Sequence, residues 1–126
     1  MKRTFRKADR LRRSGSFSEI YRRGSRARAS LMTVAVLPND LGRTRLGLSV
    51  GKRCWKGAVK RNRVRRVFRE AFRLSLPDLP PGVDVVMIAS EPRIRPGLEE
   101  TRRELMLLVP KALRRYREKA ERGTAR

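Results

Sequence analysis

Ten lysines and arginines against a single acid, Glu70, fall within residues 52–73, KRCWKGAVKRNRVRRVFREAFR. Side chains of this kind bind polyanions, and displayed along a helix they would meet phosphates spaced along a nucleic-acid backbone. Arg61, Arg65, Arg69 and Arg73 recur every fourth residue and share a line on a helix, with Arg66 on the neighbouring line. Like charges at that spacing destabilise a free helix, so a ladder this dense is expected to face an anion. Lys52, Arg53, Lys56, Lys60 and Arg63 extend the cationic set. Arginine dominates, and its planar fork suits bidentate phosphate contacts and stacking on bases. Asn62 is the uncharged polar side chain among them; its amide would meet a base edge or hold the loop before the helix. Gly57 allows close backbone approach where the free amides of a helix start attract phosphate.

Catalysis by the protein itself has little to draw on. The chain has no histidine, and acid–base chemistry needs positioned groups of tunable pKa. Cys54 is the lone cysteine, so no intrachain disulfide is possible; beside Trp55 it reads as a packed thiol. No zinc-protease, phosphate-loop or nucleophile-elbow motif is present. Asp84 alternates with Val83 and Val85 and is expected to face solvent. Glu99, Glu100 and Glu104 are expected on a solvated helix face balancing Arg102 and Arg103, not around Mg2+. No catalytic residue and no protein-held metal are expected. Phe17 and Tyr21 lie one helical turn apart, which fits either ordinary core or stacking on single-stranded bases. Trp55, in a polar loop, either packs on the sheet or stacks on RNA.

The elements that must position these groups follow from periodicity and breakers. Residues 1–13 read as a basic flexible arm. A first helix is expected from Ser14 or Ser16 to about Arg23, with Ser16 and Glu19 as a capping box and Gly24 as C-cap. Residues 30–38 read as a strand, and 26–30 as a loosely paired extra one. Residues 44–50 alternate and are expected to run antiparallel to the 30–38 strand. The basic helix is expected from Ala58 to Leu74, with Val64, Val67, Phe68, Ala71 and Leu74 as its apolar stripe. Three prolines in 77–81 end it. Residues 83–89 are almost continuously apolar and are placed inside the sheet. A last helix starts near Leu98, buries Leu98, Leu105, Leu108, Val109, Ala112 and Tyr116, and is expected to bend or break at Pro110. Residues 119–126 read as a frayed tail, leaving a single α+β domain over 14–118.

The charge is uneven. Residues 1–73 carry 23 Lys and Arg against 4 Asp and Glu, whereas 74–126 carry 11 against 8. Uniform solubilisation would not place nearly all of a net +22 in one part, so a nucleic-acid surface is indicated. No run of 18 apolar residues suggests a membrane span, and no apolar stretch follows the basic N-terminus as in a secretory signal. A cytoplasmic location is expected, with no membrane partner and no obligate protein partner.

The segment GLSVGKRCWKGAVKRNRVRRVFREAF, residues 47–72, resembles the signature of the protein subunit of bacterial ribonuclease P. Its centre is Arg61-Asn62-Arg63, preceded by Gly57-Ala58-Val59 and followed by Arg65-Arg66 and Arg69-Glu70. RLRRSGSFSEIYRRG, residues 10–24, is similar to that family as well, and the likeness spans about residues 8–118. The resemblance implies an αβββαβα fold with a left-handed βαβ crossover, where general rules favour the right-handed form. It implies a partnership with a catalytic RNA that cuts precursor tRNA at the mature 5′ end with Mg2+, expected mainly on the RNA. It also implies that Phe17 and Tyr21 belong to a cleft for the single-stranded 5′ leader. Lys52, Arg53, Lys56, Arg61, Asn62, Arg63, Arg65, Arg66 and Arg69 would face the catalytic RNA. Ala35 departs from the family, which can carry an aromatic there, so stacking is expected to be weaker at that point. Trp55 is also unusual for its loop.

Three rivals follow from the same residues. A structural or ribosomal RNA-binding protein shares the charge and size but predicts no preference for a 5′ extension. A protein-only nuclease would cut without an RNA partner. A DNA-binding module could place the 58–73 helix in a major groove, yet no helix-turn-helix partner precedes it.

Overall fold

The computed structural model describes residues 10–11, 15–89 and 91–124; the rest of the expected basic arm, Ser14 and residues 125–126 lie outside them. The chain runs α1 (Gly15–Arg23), β1 (Ser25–Arg28), β2 (Thr33–Pro38), β3 (Arg45–Ser49), α2 (Ala58–Ser75), a short 3-10 turn at Leu76–Asp78, β4 (Val83–Ile88) and α3 (Leu98–Thr124). This is the expected α+β order.

The sheet order is β1-β2-β4-β3. β2 pairs antiparallel with β1 and β4, whereas β3 pairs parallel with β4. The expected antiparallel pairing of β2 with β3 is therefore corrected: β4 inserts between them, and α2 connects the two parallel neighbours. The reason lies in burial. Every residue of β4 from Val83 to Met87 is buried, so this strand takes the centre, where both its edges and both its faces are covered.

Strand alternation divides the apolar residues between two cores. Val34, Val36, Val85 and Met87 face α2 and α3, where they meet Val64, Phe68, Phe72, Leu105, Leu108 and Val109. Phe72 and Leu113, absent from the expected stripes, are buried there too. On the opposite face Ala35, Leu37 and Val86 form a smaller cluster with Leu11, Phe17 and Ile20, flanked by Tyr21 and Tyr116. Two glycines make this second layer possible. A Cβ on Gly24 would lie 2.1 Å from the Val36 carbonyl oxygen, so this residue is glycine because α1 hands the chain closely to the sheet. Gly47 leaves its place on the sheet to the Phe17 ring.

Other local expectations also change. Ser16 lies inside α1, and Glu19 turns to Arg22 and Arg23 at 2.7 and 2.8 Å, not back to a helix cap. Hydrogen bonds from Arg23 and then Arg22 hold the Glu19 carboxyl below its ordinary value. Asp84 is 6% exposed, not solvent-facing. It accepts two bonds from Arg45 at 2.8 Å and one from Asn39 at 2.8 Å, because the parallel register sets Arg45 beside it. Glu104 is not a solvated balance either: it accepts from Ser30 Oγ at 2.6 Å and Leu31 N–H at 3.0 Å, closing the β1–β2 turn.

α3 runs unbroken through Pro110, which is exposed on its outer side. It also continues past 119, where fraying was expected. Arg115 donates to the Arg26 carbonyl at 2.8 Å and Lys119 to the Gly24 carbonyl at 2.9 Å, tying the final turns to β1 and the end of α1.

Candidate nucleic-acid interface

α2 starts after Gly57, which provides no side-chain cap. Arg61 takes up the slack at the preceding loop. Its guanidinium donates to the carbonyls of Trp55 and Lys56 at 2.9 and 2.6 Å. Arg65 donates to Asn62 Oδ1 at 2.9 Å and to the Val50 carbonyl at 3.0 Å. Asn62 thus anchors an arginine instead of the loop. All these acceptors are neutral, so Arg61 and Arg65 are fixed in place while keeping their full charge. Arg73 differs: it pairs with Glu70, whose carboxyl the Arg73 hydrogen bond holds below its ordinary value. The expected line of four arginines therefore loses one member to neutralisation.

Arg63 and Arg66 are exposed and Arg69 half-exposed, and none of their side chains bonds to another described residue. Lys52, Arg53, Lys56 and Lys60 are exposed around the helix start. Low-dielectric surroundings are absent, so these charges act at the surface and are sensitive to salt.

The second surface is the sheet face under α1. Phe17 is only 7% exposed, so it is core first. Tyr21 is half-exposed; its ring stands edge-on to Phe17 at 6.2 Å and under the Arg26 guanidinium at 4.9 Å. Beyond α1 the face opens into a cavity of about 400 Å³ lined by Arg26, Arg28, Thr33, Arg53, Ile88 and Glu91, among others. Arg28 pairs with Glu91 on its wall. Ala35 is fully buried in the smaller cluster with Phe17 and Ile20 and does not line this cavity. Arg26 and Arg28 were not singled out from the sequence. Their two-residue spacing in a strand carried the signal, since it puts both on one face.

A separate cavity of about 340 Å³ is bordered by residues of both α1 and α2. Arg10, Leu11, Phe17 and Gly47 line one side, and Arg65 and Arg69 of α2 the other. The basic helix and the aromatic helix thus border the same space, across the outer side of β3. Arg10 bridges to Leu46 of that strand, and Leu11 N–H donates to the Leu46 carbonyl at 2.8 Å.

Trp55 packs against the main core cluster and the loop before α3. Its indole N–H donates to the Ile94 carbonyl at 2.8 Å. Cys54 beside it is buried, and burial pushes its thiol above the ordinary value. Among the described residues no three of His, Cys, Asp or Glu converge to hold a metal ion. No helix is long and apolar enough to cross a membrane, among the described residues.

A family model described as Ribonuclease P matches residues 5–113. The ribonuclease P protein component of Syntrophus aciditrophicus is 37% identical over 108 residues, 86% of this chain and 90% of that protein. That of Syntrophobacter fumaroxidans is 42% identical over 97 residues, covering 76% of each. The Staphylococcus aureus RNase P protein superposes with a TM-score of 0.70 at 28% identity, over 83% of this chain and 94% of that one. The Thermotoga maritima RNase P protein gives 0.69 at 27% identity, over 77% and 91%.

Proposed function

The chain belongs to the ribonuclease P protein family and is a subunit of that tRNA-processing ribonucleoprotein, and we propose that it works there by holding two RNAs side by side. One is the catalytic RNA, met by Arg61, Arg63, Arg65, Arg66 and Arg69 with the loop cations Lys52, Arg53 and Lys56. The other is the single-stranded 5′ leader of precursor tRNA, lying on the sheet face beside Tyr21, Arg26 and Arg28. The supporting observation is that Arg65 and Arg69 line the same cavity as Phe17 and Gly47.

The chemistry is then the RNA's own. Two phosphate backbones brought together repel, and unneutralised guanidinium groups between them lower that repulsion. Substrate binding tightens, and Mg2+ binding to RNA oxygens tightens with it. No side chain acts as nucleophile or base, and no protein-held ion enters. Fixing Arg61 and Arg65 on neutral carbonyls favours this role, because ordering them costs nothing further when RNA arrives. A cytoplasmic location suits such a partner.

Reconstitution tests the reading. Cleavage of precursor tRNA by purified catalytic RNA is measured at low Mg2+ with and without the protein. Faster 5′ maturation and a lower Mg2+ requirement are expected. Equal rates in both arms, or an equal benefit for substrates lacking a 5′ leader, would favour a purely structural RNA-binding protein. Cleavage by the polypeptide alone would make it a nuclease.

A further inference from the structure

A third cavity, of about 250 Å³, lies between the start of α2 and the loop before α3, away from the surface under α1. Trp55, Val64, Val67 and Pro96 form its apolar walls, and Lys60, Arg63 and Arg95 add cations. No carboxylate lines it. Neither Lys60, Arg63 nor Arg95 has an acidic partner among the described residues.

The indole is held in place from behind. Besides its own bond to Ile94, the two loops are tied by Arg93 N–H donating to the Cys54 carbonyl at 2.6 Å. Arg93 adopts a left-handed φ of 57° to make that contact, a conformation unfavourable for a side chain this large. The Trp55 ring remains half-exposed, with the Lys60 ammonium 4.4 Å and the Arg95 guanidinium 5.9 Å from its centre.

A fixed aromatic ring, apolar flanks and three cations without acidic partners match a nucleobase carrying its phosphate. We propose that this groove receives one unpaired nucleotide of the catalytic RNA, its base stacked on Trp55 and its phosphate among Lys60, Arg63 and Arg95. The inference rests on the proposed assembly with that RNA and adds a base contact to an interface otherwise made of backbone contacts. Lys60 leaves the ring for the phosphate, so the cation that occupies the site in the free protein becomes part of the bound one. An acidic peptide would satisfy the cations but leave the ring without a partner.

Trp55 is the only tryptophan, so its emission reports on this groove alone. The intact protein is titrated with catalytic RNA while emission and acrylamide quenching are followed. Stacking should quench emission severalfold and shield the ring from acrylamide. Trp55→Phe should keep affinity within about twofold, whereas Trp55→Leu, equally apolar but without a π-face, should lose roughly tenfold or more. The salt dependence should be unchanged in both. Unchanged emission and acrylamide access on tight, salt-dependent assembly would overturn the nucleotide site while leaving the proposed function standing. Equal affinities for the Phe and Leu variants would overturn stacking. Should either variant fail to fold, Lys60→Ala/Arg95→Ala keeps the ring and the test: emission quenched on RNA as fully as in the parent refutes the phosphate assignment. Failure of the parent protein to bind the RNA at all would instead remove the underlying reading.

Discussion

Phe17 and Gly47 compete for one volume: a Cβ on Gly47 would lie 2.5 Å from both Cε1 and Cζ of the Phe17 ring. Gly47→Ala should therefore push the ring and α1 off the sheet, at a cost of about 1–3 kcal/mol. Urea unfolding measures the loss. A variant as stable as the parent would mean that α1 tolerates displacement.

The arginines of α2 should separate into two kinds. Arg66→Ala with Arg69→Ala should leave stability within about 0.5 kcal/mol. The log–log salt dependence of RNA binding should become shallower by about 0.7–0.9 for each phosphate that the variant no longer neutralises. Arg61→Ala should in addition lower stability by about 1–2 kcal/mol, since the carbonyls of Trp55 and Lys56 lose their donor. Salt titrations and melting curves on the same variants distinguish the two.

Tyr21→Ala should weaken precursor tRNA binding far more than mature tRNA binding, by about 1–3 kcal/mol for one stacked base. Its half-exposed position makes this a cleaner test than Phe17→Ala, which opens the smaller core and should cost stability first. Equal losses for the two substrates would argue against a leader on this face.

Asp84→Ala should destabilise by about 3 kcal/mol, because Arg45 and Asn39 lose their shared acceptor beneath the sheet surface. The partial exposure of Arg45 keeps the figure at the lower end of that range. Chemical denaturation reads it directly. RNA affinity of the folded variant should hardly change.

Cys54 gives a pH dependence of known sign. Burial raises its folded pKa above the ordinary 9.0. Its contribution is fully present below that value and is lost as pH rises through the raised folded pKa, because the unfolded chain gives up the proton first. Stability should fall on the alkaline side of pH 9, and Cys54→Ala should flatten that fall. Iodoacetamide should also modify the native thiol much more slowly than the denatured one.

The sequence disclosed elements better than their neighbours. The period-3.6 pattern located α2 and the period-2 pattern located β3, because burial of one face imposes them directly. β4's central place was legible from its nearly unbroken apolar run, interrupted only by Asp84. Pairing was not: β2 and β3 are consecutive and strand-like, and nothing local says that a strand from beyond α2 enters between them. Asp84 and Glu104 were misjudged for the same reason. Each looks solvated within its own element, and each acquires its partner from a distant one. Pro110 was overrated as a breaker because its position on the exposed side of α3 spares the packed side. At the candidate site, charge and spacing identified the arginines of α2, but not which would be spent on neutral carbonyls and which on Glu70. That division depends on where Val50, Trp55 and Lys56 fall in space.

The two margins of the sheet share a property that bears on how partners can approach. Along β1, Arg115 occupies the Arg26 carbonyl from α3; along β3, Leu11 N–H and the Arg65 guanidinium occupy the carbonyls of Leu46 and Val50. Three main-chain carbonyls along these margins, which could otherwise accept from another strand, are thus engaged from within. Recruitment by strand addition is disfavoured, including stacking of one copy on the next. Recognition falls to side chains, whose grip on a polyanion dissolves as salt is raised.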